Sequence, residues 1–433
     1  MRQVPDGPAE RVEGREGPVA SSPNSAREEW RQHWKLVLAA LVGSSLAALP
    51  VQAIAFFIDP LTQAFGWSRV QATVGLSIFA LVVVPLSPVA GMMIDRWGAR
   101  RMAMSGLALT AIAFGSLGLT TGSFSLWIFQ WTIYALLGLT IKMTVWTAAV
   151  SSVFRHGRGM AIAVTLCGTA LAQTIAPLLS YYLIEQFGWR LAYIVMAVGW
   201  GGLSFILTAL FFFDGRQRGS AAKQAAGAII ASDAAHGLSV GQALRCLSLY
   251  RLALALVINS ILSIAVVTNK VGIVGEMGIS RGAAAQIAAT AGIAGISGKL
   301  LTGWLYDRSS SQWIGIAAFG VPAIGFTLML DPLRTEPLLV LGMILFGFGS
   351  GATLQASVYL TARYAGLRNY GKIYGTLSAV TALGIGVGPL LGGAIYDHFH
   401  SYGPLIILGV PLGLLSGLLV TRLGPYPQWE RQS

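Results

Sequence analysis

Twelve apolar runs, each long enough to cross the hydrocarbon core of a bilayer, leave this chain few folds to adopt. They lie near residues 35–58, 70–94, 102–120, 125–153, 160–184 and 191–213, then near 251–275, 282–305, 314–330, 338–362, 372–395 and 404–422. Within a bilayer the backbone must satisfy its own hydrogen bonds, so runs of this length are expected as helices. With 55% hydrophobic and 11% charged residues, and a mean hydropathy of +0.67, the chain lacks the polar surface of a water-soluble domain. The expected class is an all-α membrane protein of 12 transmembrane helices.

A net charge of +12 invites a nucleic-acid reading, so the placement of the cations decides. With the N-terminus in the cytoplasm, Arg69, Arg190, Arg281 and Arg334 fall outside and Lys142, Lys270 and Lys299 fall within apolar runs. Every other Lys and Arg of the 29 falls on the cytoplasmic side. That bias is the positive-inside rule, and it accounts for the basic balance with no nucleic acid. It predicts a multi-pass protein of the cell inner membrane, both termini cytoplasmic, drawn to anionic lipid.

Residues 1–33, with Pro5, Gly7, Pro8, Gly14, Gly17, Pro18 and Pro23 and no apolar periodicity, are expected as a disordered cytoplasmic tail without a cleavable signal peptide. An N-terminal six-helix bundle over 34–213, a cytoplasmic linker over 214–250, a C-terminal six-helix bundle over 251–422 and a tail over 423–433 follow. The bundles repeat. A shift of 212 carries Gly66, Ser68, Arg69, Gly91, Asp95 and Arg96 onto Gly278, Ser280, Arg281, Gly303, Asp307 and Arg308. The same shift carries Gly159, Pro177, Leu178, Leu179 and Phe187 onto Gly371, Pro389, Leu390, Leu391 and Phe399. A constant offset without a gap indicates a duplicated unit, its copies related by a pseudo-two-fold axis along the membrane normal. Cys167 and Cys246 are expected too far apart to pair.

The loop after the second run reads Gly91-Met92-Met93-Ile94-Asp95-Arg96-Trp97-Gly98-Ala99-Arg100-Arg101, and Gly303-Trp304-Leu305-Tyr306-Asp307-Arg308 is its weaker copy. A small residue lets two helices approach, and an Asp near a helix end pairs with Arg across an interface that must break when that side opens. Gly91, Asp95, Arg96, Arg100, Arg101, Gly303, Asp307 and Arg308 are therefore expected to form a conformational latch. This loop resembles the signature loop of the major facilitator superfamily. A narrower resemblance, to the monocarboxylate and oxalate/formate porter branch, spans about residues 36–422. It is carried by Gly66-Trp67-Ser68-Arg69, Arg158-Gly159-Met160-Ala161, Phe187-Gly188-Trp189-Arg190, Tyr359 to Arg368, Tyr374-Gly375 and Gly388-Pro389. The resemblance implies the major facilitator fold, a monomer, and transport of small carboxylates with a proton or by exchange for a counter-anion.

The residues lend their own support. Lys142, Lys270 and Lys299 lie inside the fourth, seventh and eighth runs, whereas all 17 Asp and Glu fall in tails, loops or helix ends, with Asp59, Glu185, Glu276 and Asp331 on the outer side. A charge at the bilayer centre costs at least about 2.5–3.5 kcal/mol on insertion scales, so cations without acid partners need a reason to persist. A carboxylate substrate supplies the missing counter-charge if the lysines line a central water-filled cavity. Three cations would suit a di- or tri-anion or an aromatic acid. Helical spacing places Trp146 one turn from Lys142, where a cation can rest on its ring, and Asn269 precedes Lys270. Snorkelling to an interface is the structural alternative for each lysine.

Lys299 stands four residues before Gly303, where the resembled branch carries a substrate-binding arginine; lysine keeps the charge and loses the planar fork. Two positions depart from the branch. The tenth helix continues from Gly351-Ala352 into Thr353, Leu354 and Gln355 in place of an acidic pair, and Pro50 is followed by Val51 and Gln52 in place of a lysine. Gln52, Gln173 and Gln355 complete the candidate substrate site. His33, His156, His236, His398 and His400 lie in tails or loops without ligand spacing, so no enzyme, metal or cofactor is expected. The rival readings are an exporter of drugs or other neutral or amphipathic compounds, and a transporter-like sensor that binds without transport.

Overall fold

The computed structural model describes residues 25–154, 157–213, 237–309, 311–331, 335–366 and 368–427. Among them the chain crosses back and forth twelve times. The first three spans are Ala26–Phe65, Arg69–Trp97 and Ala99–Ser116. The fourth is Phe124–Gly138 prolonged by Met143–Val153. Arg158–Leu166 and Gly168–Met196, followed by Gly202–Phe211, form two spans, because Gly188 has φ 75° and ψ 162° and reverses the chain within the second of these segments. The second half runs Leu247–Gly275, Arg281–Arg308, Gln312–Leu328, Glu336–Ala365, then Tyr370–Thr381 with Leu383–Phe399, and last Gly403–Thr421. The outcome is the expected all-α membrane architecture.

The repeat is visible in backbone conformation. Gly66 and Gly278, 212 apart, end the first and seventh spans' connections with φ 68° and 74°. Gly188 corresponds to His400, the one non-glycine with positive φ among the described residues, at φ 53°. Glycine meets no steric cost there; His400 accepts one to make the same turn. Ser68 and Ser280 cap the helices that follow through Gln71 N and Ala283 N. Each half therefore turns at its membrane face by the same local chemistry.

Helix and ordered chain extend past the expected boundaries. The first helix begins at Ala26, inside the stretch expected as tail, because Ser25 caps Glu28 N and acidic Glu28 and Glu29 occupy the first turn. Glu29 is buried and accepts from Gly157 N at 2.8 Å, while Trp30 and His33 pack on Phe154. Apolar periodicity does not register such a polar anchor. Likewise the end of the expected linker is fixed to the second half: Leu238 N donates to Ala365 O at 2.8 Å and Asn369 Nδ2 to Leu238 O at 3.0 Å. The expected final tail is held through residue 427, where Gly424 O accepts from Gln312 Nε2 and Tyr364 OH. Residues 1–24, 214–236 and 428–433 of these segments lie outside the described residues.

The first half has one continuous apolar core around Trp127, Trp131, Tyr134 and Trp146, and the second has two, one toward each face. The halves meet along the second and eleventh spans, the fifth and eighth, and the first and seventh. Their shared bonds run from the face opposite the termini down to Lys299. On the opposite face Arg281 Nη2 bonds Asp59 Oδ2 at 2.9 Å and Asp397 bonds the backbone of Arg69 and Val70; deeper, Ser77 Oγ donates to Gly386 O at 2.5 Å. That face is closed.

Candidate functional site

The seventh helix sets Lys270 and Asn269 about 100° apart around its axis, and the two have different surroundings. Lys270 is buried, and its Nζ donates across the halves to the backbone carbonyl of Gln52 in the first helix at 3.2 Å. It borders a cavity walled by Val266, Val267, Ala288, Ile287, Met343 and Phe346, with Gln173 of the fifth span contributing the other polar side chain. Gln52 itself holds a buried Oε1 that has no hydrogen-bond partner among the described residues. Gln52, Gln173 and Lys270 thus meet where the halves join.

Lys299 lies deeper along the same interface. Its Nζ donates to Thr169 Oγ1 of the fifth span at 3.1 Å, again from one half to the other. Gln355 rests against Gly303, one helical turn from Lys299. Lys142 bonds the Ser87 hydroxyl within the first half. The fourth span breaks at this lysine, which has φ −57° and ψ 151°, and a new helix starts at Met143 with no side-chain cap on its first N–H groups. The positive end of a half-helix is thereby added to the ammonium charge. Among the described residues no Asp or Glu lies within ion-pair distance of any of the three lysines. All three donate to neutral oxygens.

Two expected site residues point elsewhere. Trp146 is fully buried in the core of the first half, its Nε1 donating to Ile141 O at 2.9 Å and its ring set edge-on to Phe212 and against Gly43. The one-turn relation to Lys142 assumed a continuous helix, and the break at Lys142 removes it. Asn269 is also enclosed: its Nδ2 donates to Ala265 O and Thr268 Oγ1, and its Oδ1 accepts from Tyr402 OH at 3.0 Å. It joins helices of the second half. The expectation of a single three-lysine cavity is corrected too. Lys270 sits five residues from the closed-face end of its helix and Lys299 eighteen from its own, so their depths differ by roughly 20 Å at 1.5 Å per residue.

Of the expected latch, the side chains of Gly91, Asp95 and Asp307 lie outside the described residues. Arg100 Nη2 donates to Ala209 O at 3.0 Å within its own half, Arg96 and Arg101 are exposed, and Arg308 stacks on Trp304 at 4.1 Å with Gly303 one residue before it. Gly98 serves there with φ 81° at the join of the second and third helices. Ser87 and Thr169, which hold two of the lysines, are not in the expected site, although Thr165, Thr169 and Gln173 recur at intervals of four as a polar stripe on the fifth helix. One signal was present for Ser87: the shift of 212 carries it onto Lys299, so both halves place a polar group at the same depth.

The sequence model of the Major Facilitator Superfamily matches residues 40–329 and 252–432. An MFS-type transporter of Gibberella moniliformis is 24% identical over 90% of this chain and 91% of its own length. Monocarboxylate transporter 13 of Bos taurus is 24% identical over 90% of this chain and 88% of its own. Among solved structures, the inward open conformation of the xylose transporter XylE from E. coli superposes with a TM-score of 0.72 at 13% identity, covering 91% of this chain and 97% of that one.

Proposed function

The chain belongs to the major facilitator superfamily, and from that premise we propose that it carries a small organic anion, a mono- or dicarboxylate, across the cell inner membrane by alternating access. It is a multi-pass transporter and not an enzyme, its substrate a small molecule. The cytoplasmic placement of both termini rests on the distribution of Lys and Arg.

The observation that carries the reading is Lys270. It is a buried cation on the line between the halves, bonded to one neutral carbonyl and facing a cavity that is apolar except for Gln173. At about 20 Å³ the cavity has room for about one water in this closed arrangement. Once its walls part, a carboxylate at Lys270 gains a charge-assisted hydrogen bond and removes the cost of the unpaired charge, while its carbon chain meets Val266, Met343 and Phe346. Lys299 and Lys142 offer further cationic stops deeper along the path. Because Lys270 and Lys299 each bond the opposite half, cargo that competes for either ammonium also alters the contact between halves. Binding and movement are coupled in this way, with a proton or a second anion closing the cycle.

Counterflow in proteoliposomes tests this. Parent protein loaded with an unlabelled short carboxylate is expected to accumulate the labelled acid, and Lys270→Gln to lose that activity. Parental carboxylate flux in Lys270→Gln, or parental preference for a neutral amphipathic compound, overturns the assignment in favour of the exporter reading.

A further inference from the structure

The closed face is fastened by an arrangement that breaks the internal symmetry of the chain. Arg69 and Arg281 are repeat equivalents, yet both converge on one carboxylate: Asp59 Oδ1 bonds Arg69 Nη2 at 2.9 Å and Asp59 Oδ2 bonds Arg281 Nη2 at 2.9 Å. The repeat equivalent of Asp59 is Val271, which is buried beside Ala55, Phe56 and Ala285. A second carboxylate, Asp397 of the eleventh span, accepts from the backbone N–H groups of Arg69 at 3.0 Å and Val70 at 3.1 Å. It caps the start of the second helix from the opposite half, where helix N–H groups and the helix dipole favour an anion. Its repeat equivalent is Glu185 on the fifth span, which is exposed and has no hydrogen-bond or ion-pair partner among the described residues.

We infer that Asp59 and Asp397 are the gating residues of this face and that Glu185 is a bystander. Asp59 and Arg69 belong to the same half, so their bond survives opening. The bonds that must break at the gate are Asp59 to Arg281, Asp397 to the second helix, and the stacking of Arg69 on Tyr396 at 4.0 Å, with Ser77 to Gly386 and Lys270 to Gln52 beneath them. Asp59 therefore keeps a counter-charge in both states, and opening does not strand a bare carboxylate. The seam between the second and eleventh spans is latched by Asp397, and the seam between the fifth and eighth closes without a matching carboxylate. Glu276, which accepts from Tyr402 N, borders the same vestibule from the seventh helix and stays with Arg281 in the second half. This gate is independent of which solute is carried.

Val271 lies 4% exposed beneath the gate and makes a reporter. In a Cys167→Ser, Cys246→Ser background, Val271→Cys is expected to react slowly with a charged maleimide. Asp59→Asn and Asp397→Asn are each expected to raise that rate by roughly tenfold, the factor that follows from losing one charge-assisted hydrogen bond across the gate. Glu185→Gln is expected to leave it unchanged, and Asp397→Glu, which keeps the charge and controls for folding, to stay near the parent. Parental labelling rates in both asparagine variants, or acceleration in Glu185→Gln equal to that in Asp397→Asn, overturns the assignment.

Discussion

At the scale of single residues, a side chain kept for binding is distinguishable from one kept for stability by the sign of its removal. Lys270 sits buried, unpaired with acid and bonded to one carbonyl, so the folded protein bears its desolvation cost. Lys270→Met is expected to raise the thermal stability of the ligand-free protein, by on the order of 1–3 kcal/mol, while abolishing carboxylate counterflow. Thermal unfolding and flux measured on one preparation check both halves of that statement; a destabilised variant would identify Lys270 as a structural cation. Trp146 should behave in the opposite way. Its ring fills the space against Gly43 and Phe212, so Trp146→Ala is expected to cost about 3–5 kcal/mol, read as a lowered melting temperature, with no specific effect on substrate affinity in the protein that remains folded. The sequence exposed the lysines because a charge in an apolar run is conspicuous. It misplaced Trp146 because nothing in Gly138 to Trp146 announces that the helix stops at Lys142.

At the scale of helices, glycines set how closely backbones approach. The eighth and tenth helices cross with Gly295 against Gly351 and Ala291 against Gly347, where a side-chain carbon would strike a carbonyl oxygen. Gly320 in the middle of the ninth helix faces open space. Gly351→Ala is accordingly expected to lower stability by about 1–3 kcal/mol through overpacking, and Gly320→Ala to be neutral or mildly stabilising, both measured by thermal unfolding in the same lipid. Equal effects would mean that the crossing relaxes freely. Element existence was legible because hydropathy reports immersion in lipid, and the repeat was legible because a duplicated unit keeps its turn residues. The break at Lys142 and the polar anchoring of Glu29 on Gly157 were hidden, since the second depends on a partner more than a hundred residues away and the first is an extended conformation at a lysine, four residues past the nearest glycine.

At the scale of the whole molecule, the spacing of the cations limits the cargo more tightly than their number does. Lys270 lies near the closed face, whereas Lys299 and Lys142 lie at one common depth far along the path, so the charges form two levels separated by roughly 20 Å at helical rise. A small acid at Lys270 is held by that one ammonium, and an extra carboxylate on the same molecule would meet Val266, Ile287 and Phe346 with only the neutral Gln173 amide beside it and no second cation. Monocarboxylates are therefore expected to raise the melting temperature of purified protein more than tricarboxylates of similar size. At a hundredfold excess over Kd the stabilisation from one bound ligand is about 2.7 kcal/mol. That shift should vanish in Lys270→Gln and persist in Asp397→Asn, whose lesion lies in the gate and not in the pocket. A tricarboxylate that stabilises more strongly than any monocarboxylate would show that the halves draw the lysines together around cargo, and the serial arrangement would fall.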